Sequence, residues 1–155
     1  MLIIGKLDNL IYSLYQSLKH TPQMLTVTSL IAAVLTGIFI KLSFAVIGLR
    51  RKNKVGLGNG GHDDLERAIR AQGNFAEYVP FGLILLACLE LNGALWWLVA
   101  IPGVTLIIGR LIHVVGINTP PPDFSKRVLG MKFTFMTLMA LVVLNVGWSL
   151  YKLVS

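Results

Sequence analysis

The chain has 155 residues, of which 55% are hydrophobic and 14% charged, and a mean hydropathy of +0.72. Soluble domains carry about 25% charged residues, so this composition excludes an ordinary water-soluble domain and is that of an integral membrane protein. The net charge of +7 lies in short segments between apolar runs, which argues for membrane topology and a polar site and against nucleic-acid binding, and a single cysteine, Cys88, excludes an intrachain disulfide.

Residues 1–22 place Ile3, Leu7, Leu10, Ile11, Leu14 and Leu18 at helical spacing, with Lys6, Asp8, Asn9, Ser17 and Lys19 elsewhere. This pattern predicts an amphipathic helix lying on the membrane surface as an interfacial anchor, with partner binding as the alternative. It lacks the apolar core and small-residue cleavage site of a signal peptide. The remaining chain, 23–155, reads as one domain of four spanning helices. The first span is 25–49, and its one charge, Lys41, either snorkels or faces the bundle and pairs with a carboxylate such as Glu77.

Residues 50–61, RRKNKVGLGNGG, form a basic, glycine-rich loop. Gly56, Gly58 and Gly61 match G-x-G-x-x-G in form only, because no strand precedes them. His62, Asp63 and Asp64 then read as a helix N-cap and acidic first turn. The second span runs to Leu91, with Pro80 removing the bond to the Ala76 carbonyl and predicting a kink. Cys88, inside this apolar run, reads as a buried or lipid-facing thiol. A tight turn at 90–93 carries no positive charge, and the third span covers 94–116, anchored by Trp96 and Trp97. The segment 117–125 is broken by Pro120, Pro121 and Pro122, and the fourth span runs from Lys126 to Tyr151, anchored by Trp148 and Tyr151. Arg50, Arg51, Lys52 and Lys54 in the first loop, with Lys126 and Arg127 beside the third, place both loops on the cytoplasmic side and both termini opposite, with Lys6 and Lys19 as a minor counter-signal.

The start of the second span, 63–80, is unusually polar for a membrane helix. At about 100° per residue, Glu66, Asn74 and Glu77 fall at about −40°, +40° and −20° from Arg70, so four polar groups share one stripe. Lipid exposure of such a stripe is costly, so it should wall a polar site. Depth brings further groups to the same level. Arg70 and Arg110 each lie about 9 Å from the cytoplasmic ends of their helices and His113 about 5 Å, while Arg50 and Arg127 close neighbouring helix ends. Glu66 and Glu77 offset part of this charge, and an anionic ligand would complement the rest. The competing reading is a structural network that ties helices or subunits together, and a lipid headgroup would also be an anionic ligand. His20, His62 and His113 lack metal-ligand spacing, so no metal is expected.

The run E-R-x-x-R-A-Q-x-N-x-x-E-Y-x-P, Glu66 to Pro80, resembles the signature of the membrane-associated proteins in eicosanoid and glutathione metabolism, which include microsomal glutathione transferases and leukotriene C4 synthase. The likeness extends over roughly 25–152 and includes Arg50-Arg51 and the Arg110…His113…Gly116 pattern. It implies an all-α four-helix protomer assembled as a homotrimer, with glutathione as co-substrate between subunits on the cytoplasmic side. Carried over position by position, Arg70, Asn74, Glu77 and Tyr78 match the glutathione-binding motif, and Arg50 matches an arginine near the ligand carboxylates. Gln72 matches too, although at about 200° from Arg70 it faces a different surface or a neighbouring subunit. Arginines, Arg110 among them, would hold the carboxylates, Glu77 would accept from the γ-glutamyl amine, and Arg127 is the candidate for activating the thiol. The family often carries tyrosine where this chain has His113 and Ile117. His113 still offers a hydrogen bond and Ile117 does not.

The resulting expectation is a glutathione transferase whose thiolate attacks a lipophilic electrophile from the bilayer or reduces a lipid hydroperoxide. The alternative of a different class is a non-catalytic membrane protein that binds glutathione or a lipid. A small transporter, prompted by Lys41 and Pro80, is disfavoured by the absence of an internal repeat.

Overall fold

The computed structural model describes residues 24–154, and the amphipathic segment expected over 1–22 lies outside them. Four helices make up the described chain: α1, Thr26–Asn53; α2, Asp63–Leu91; α3, Trp96–Asn118; and α4, Phe124–Val154. The shortest has 23 residues, about 34 Å at the α-helical rise. All four are long and apolar enough to cross a membrane core of about 30 Å. Helices α2 and α3 each touch the other three, whereas α1 and α4 make no contact with each other. In cross-section the bundle is a rhombus with α2 and α3 on its short diagonal.

Each helix contributes a fully enclosed leucine to the core: Leu35, Leu86, Leu106 and Leu141. The outer surface is equally apolar, with Phe44, Met136 and Val143 each about two-thirds or more exposed, as lipid-facing side chains are (67%, 69% and 70%). Because lipid tails are as apolar as leucine, burial alone does not hold such helices together. Close packing and a few polar ties must do so.

The closest packing joins α3 to α4. A Cβ added at Gly130 would stand 2.5 Å from the His113 backbone nitrogen and 2.7 Å from the Gly109 oxygen, and one at Gly116 would stand 2.7 Å from the Arg127 nitrogen. The two backbones touch because these positions have no side chain. This seam sets His113 and Arg127 side by side.

Polar ties close the two ends. At the end away from the basic loop, the Glu90 carboxylate accepts the backbone N–H groups of Val27 at 2.9 Å and Thr28 at 2.8 Å. Helix α1 begins after Leu25, which has no capping group, so α2 supplies the cap from a distance. Nearby, the Trp148 indole donates to the Asn92 carbonyl and Asn145 donates to the Leu85 carbonyl, tying α4 to α2. At the other end Asp123 caps α4, accepting the Lys126 backbone N–H at 3.0 Å and pairing with its ammonium at 3.1 Å.

Several boundaries differ from the sequence expectation. Helix α1 continues to Asn53 because Arg50, Arg51 and Lys52 suit the negative end of its dipole, and Lys54 closes it in the left-handed region. Helix α3 extends to Asn118, stopping just before the Thr119–Pro120 step, and α4 starts at Phe124 under the Asp123 cap. His62 occupies the N-cap position of α2 without a side-chain cap bond. Helix α2 runs unbroken through Pro80, whose exposed ring lies beside the equally exposed Ala76 at the helix surface. Lys41 is exposed and does not pair with Glu77. Among the described residues Lys126–Asp123 is the sole ion pair.

Three outcomes follow, each measured by unfolding in detergent. Glu90→Ala should cost about 1–2 kcal/mol by uncapping α1, and an unchanged melt would contradict the capping role. Gly130→Ala should cost about 1–3 kcal/mol by forcing backbones apart. The third concerns pH. The Lys126 backbone N–H, followed by the Lys126 side chain, holds the Asp123 carboxyl below its ordinary value. The cap therefore acts in full above the unfolded carboxylate's pKa and is lost as pH falls through the folded one. The stability gap between the parent and Asp123→Ala should shrink on acidification from about pH 6 to about pH 3.

Candidate functional site

The polar stripe of α2 forms one wall of a cavity of about 750 Å³. Glu66, Arg70, Asn74 and Glu77 all line it, as their shared helical face requires. His113 and Ile117 of α3 and Arg127 of α4 form the facing wall, brought there by the glycine seam. Glu66, Arg70 and Glu77 remain exposed to this space, while His113 is 4% exposed.

Charges on the wall are mixed. Arg67, Arg70 and Arg127 line it together with Asp63, Glu66 and Glu77, so the lining itself is formally balanced rather than surplus in positive charge. Among the described residues none of these six groups is tied to another by an ion pair. Glu66 accepts from the Asn59 amide at 2.7 Å, and among the described residues the Arg70, Glu77 and Arg127 side chains make no hydrogen bond. Groups of both signs held apart in this way suit a ligand that carries both acids and an amine.

Five of the nine residues singled out from sequence meet at this cavity: Arg70, Asn74, Glu77, His113 and Arg127. The other four are engaged elsewhere. Arg50 donates to the carbonyls of Gly58 at 3.0 Å and Gly56 at 3.3 Å, clamping the glycine-rich loop back onto α1. Gln72 lies on another face of α2, as its angle required, and donates to Ser43 Oγ of α1 at 2.9 Å. Tyr78 packs edge-on against Phe135, with ring centroids 5.4 Å apart. Arg110 is fully enclosed between α2, α3 and α4 and does not line the cavity, although its depth is that of the site.

Two features escaped the sequence reading. Arg67 lines the cavity, and its position about 60° from Arg70 would have shown this. A second, apolar cavity of about 390 Å³ adjoins the first, sharing His113 and Arg127 with it and lined by Met131, Phe135, Met136 and Met139 of α4. Methionine and phenylalanine at such spacing look like any lipid-facing stripe, and only the neighbouring helix makes them a groove.

Comparison with known proteins agrees with this architecture. Residues 28–147 match the model of the MAPEG family. The chain is similar to the inner membrane protein YecN of Escherichia coli strain K12, with 37% identity over 128 residues, covering 83% of this chain and 96% of that protein. The YecN of Escherichia coli O6:H1 gives the same identity and coverage. With four membrane-length helices and relatives named for the inner membrane, this is a multi-pass integral membrane protein. Its matched residues span all four helices and include the polar stripe of α2, and the chain belongs to the MAPEG family, the membrane-associated proteins in eicosanoid and glutathione metabolism.

Proposed function

We propose that the protein is a membrane-bound glutathione transferase that conjugates the glutathione thiolate to lipophilic electrophiles. The observation that carries this reading is Arg70, free of intraprotomer partners among the described residues, opening onto one cavity with Asn74, Glu77 and Arg127. At about 750 Å³ the cavity is in the range of small-molecule sites. Glutathione carries two carboxylates, one amine and a thiol. Arg70 and Arg67 suit the carboxylates as fork-shaped donors, and Glu77 suits the γ-glutamyl amine.

In the proposed reaction Arg127 stabilises the thiolate by its charge and so lowers the thiol pKa. The thiolate sulfur then attacks the electrophilic carbon, forming a C–S bond as the leaving group departs with its electron pair. The apolar cavity beside Arg127 would hold the lipophilic partner, which reaches it from the bilayer. Reduction of a lipid hydroperoxide by the same thiolate, at the expense of two glutathiones, is a related activity of the same site. The basic loop and the Lys126-Arg127 pair orient the site toward the cytoplasm, with the termini opposite. A homotrimer would cover the open side of the cavity.

One observation favours a second reading, a non-catalytic protein that binds glutathione or a lipid. Ile117 lines the cavity where a hydroxyl would help to activate the thiol. Thiolate absorbance in the ultraviolet on adding glutathione separates the two readings, because binding without thiolate or turnover supports the second.

Arg127→Ala should lower the rate of conjugation to a generic aryl halide with little effect on glutathione affinity measured by calorimetry. Arg70→Ala should weaken that affinity by about tenfold to a hundredfold, the value of one charge-assisted hydrogen bond. Should both variants bind and conjugate as the parent does, the site assignment is wrong.

A further inference from the structure

We propose that Arg110, which the cavity does not expose, is a positioning residue that sets the hydrogen-bond polarity of the cavity floor. It leaves Asn74 and His113 with nothing but donors to offer a ligand. A guanidinium has N–H donors and no acceptor, so every polar atom in its reach must accept. Arg110 Nη2 lies 2.7 Å from Asn74 Oδ1 and 3.3 Å from His113 Nδ1. The amide oxygen of Asn74 is thereby turned inward, and its NH2 group is what remains. A histidine that accepts at Nδ1 is neutral and carries its one N–H at Nε2.

Both remaining donors open onto the cavity. Among the described residues the enclosed side-chain polar atoms without a partner are Thr28 Oγ1, Asn53 Nδ2 and Arg110 Nε. Asn74 Nδ2 and His113 Nε2 have no partner among the described residues and are not among these, so they reach open space. Asn74 lines the polar cavity, and His113 lines both cavities.

The cost of Arg110 shows that it is not a filler. It is 0% exposed and has no carboxylate within ion-pair distance among the described residues. Its other neighbours are Thr134 Oγ1 at 3.5 Å, Met131 Sδ at 3.8 Å and the rings of Phe75 and Tyr78 at 5.6 and 5.7 Å. An unpaired buried cation is expensive, and an apolar residue of similar volume would pack there at lower cost. The outcome is a floor of two fixed donors backed by a positive charge that no described carboxylate contacts. Such a floor accepts a carboxylate or thiolate and rejects an N–H or ammonium group, whose hydrogens would meet no acceptor. Glu77, on the same wall, is left to receive the amine, so the floor dictates the direction in which an amino-acid-like ligand lies.

This inference rests on the glutathione reading for the identity of the ligand, but the tautomer does not. In detergent-solubilised full chain labelled with 15N-histidine, His113, assigned by comparison with His113→Gln, should show an unprotonated Nδ1 and a protonated Nε2 without any ligand. An Nδ1–H form in the parent would overturn the proposal, whatever the protein binds. Arg110→Met should let the Nδ1–H form appear and weaken glutathione binding. Asn74→Asp keeps an oxygen for Arg110 but replaces the exposed NH2 with an acceptor. Its melting temperature should not fall, while its glutathione Kd should rise at least about tenfold. A Kd equal to that of the parent would overturn the donor role. A parent that binds no glutathione defeats the functional reading alone, and the tautomer then decides the present one.

Discussion

Everything at the polar end of this bundle depends on how closely α3 approaches α4. Gly109, Gly116 and Gly130 bring the two backbones into contact, and no side chain larger than hydrogen fits at Gly130 without moving one helix. In lipid, where burying one more leucine gains little, this fit is a large part of what holds the pair together. It has a chemical consequence as well. The residues beside the seam, His113 and Arg127, are carried to the wall opposite the α2 stripe, and the space between the two walls is the cavity.

Behind that wall lies a fully enclosed arginine. Arg110 is enclosed, has no ion-pair partner among the described residues, and holds Asn74 and His113 by its donors. Its neighbours are arranged to tolerate a cation, with aromatic faces, a thioether and a hydroxyl around it, but not to neutralise it. The wall in front carries arginines and carboxylates that are not spent on one another. A purely structural network would pair them, since unpaired charges stabilise nothing. The arrangement makes sense for a site whose charges are completed by a ligand of mixed sign. The adjoining apolar groove shares Arg127 and His113 with the polar cavity.

The opposite end of the bundle serves stability alone. Glu90 of α2 caps α1, and Asn145 and Trp148 of α4 reach the carbonyls of Leu85 in α2 and Asn92 just after it. Those ties join the helices that flank the rhombus to one member of its diagonal.

From sequence alone the class and the stripe were legible, because both depend on local rules. Long apolar runs must be spans, and helical angle alone puts Glu66, Arg70, Asn74 and Glu77 on one face. Gln72 was likewise excluded from that face by its angle, and it does point to α1. What the sequence could not show was rotation and approach between helices. Depth placed Arg110, Arg50 and Arg127 at one level, but depth says nothing of azimuth. Packing sent Arg110 into the core, turned Arg50 onto the loop carbonyls and left Arg127 on the wall. The same holds for the caps, since Glu90 and the start of α1 are more than sixty residues apart and meet through antiparallel packing alone (62 and 63 positions). Periodicity is written in the chain, whereas the partner of each polar atom is decided by which surfaces the glycines allow to touch.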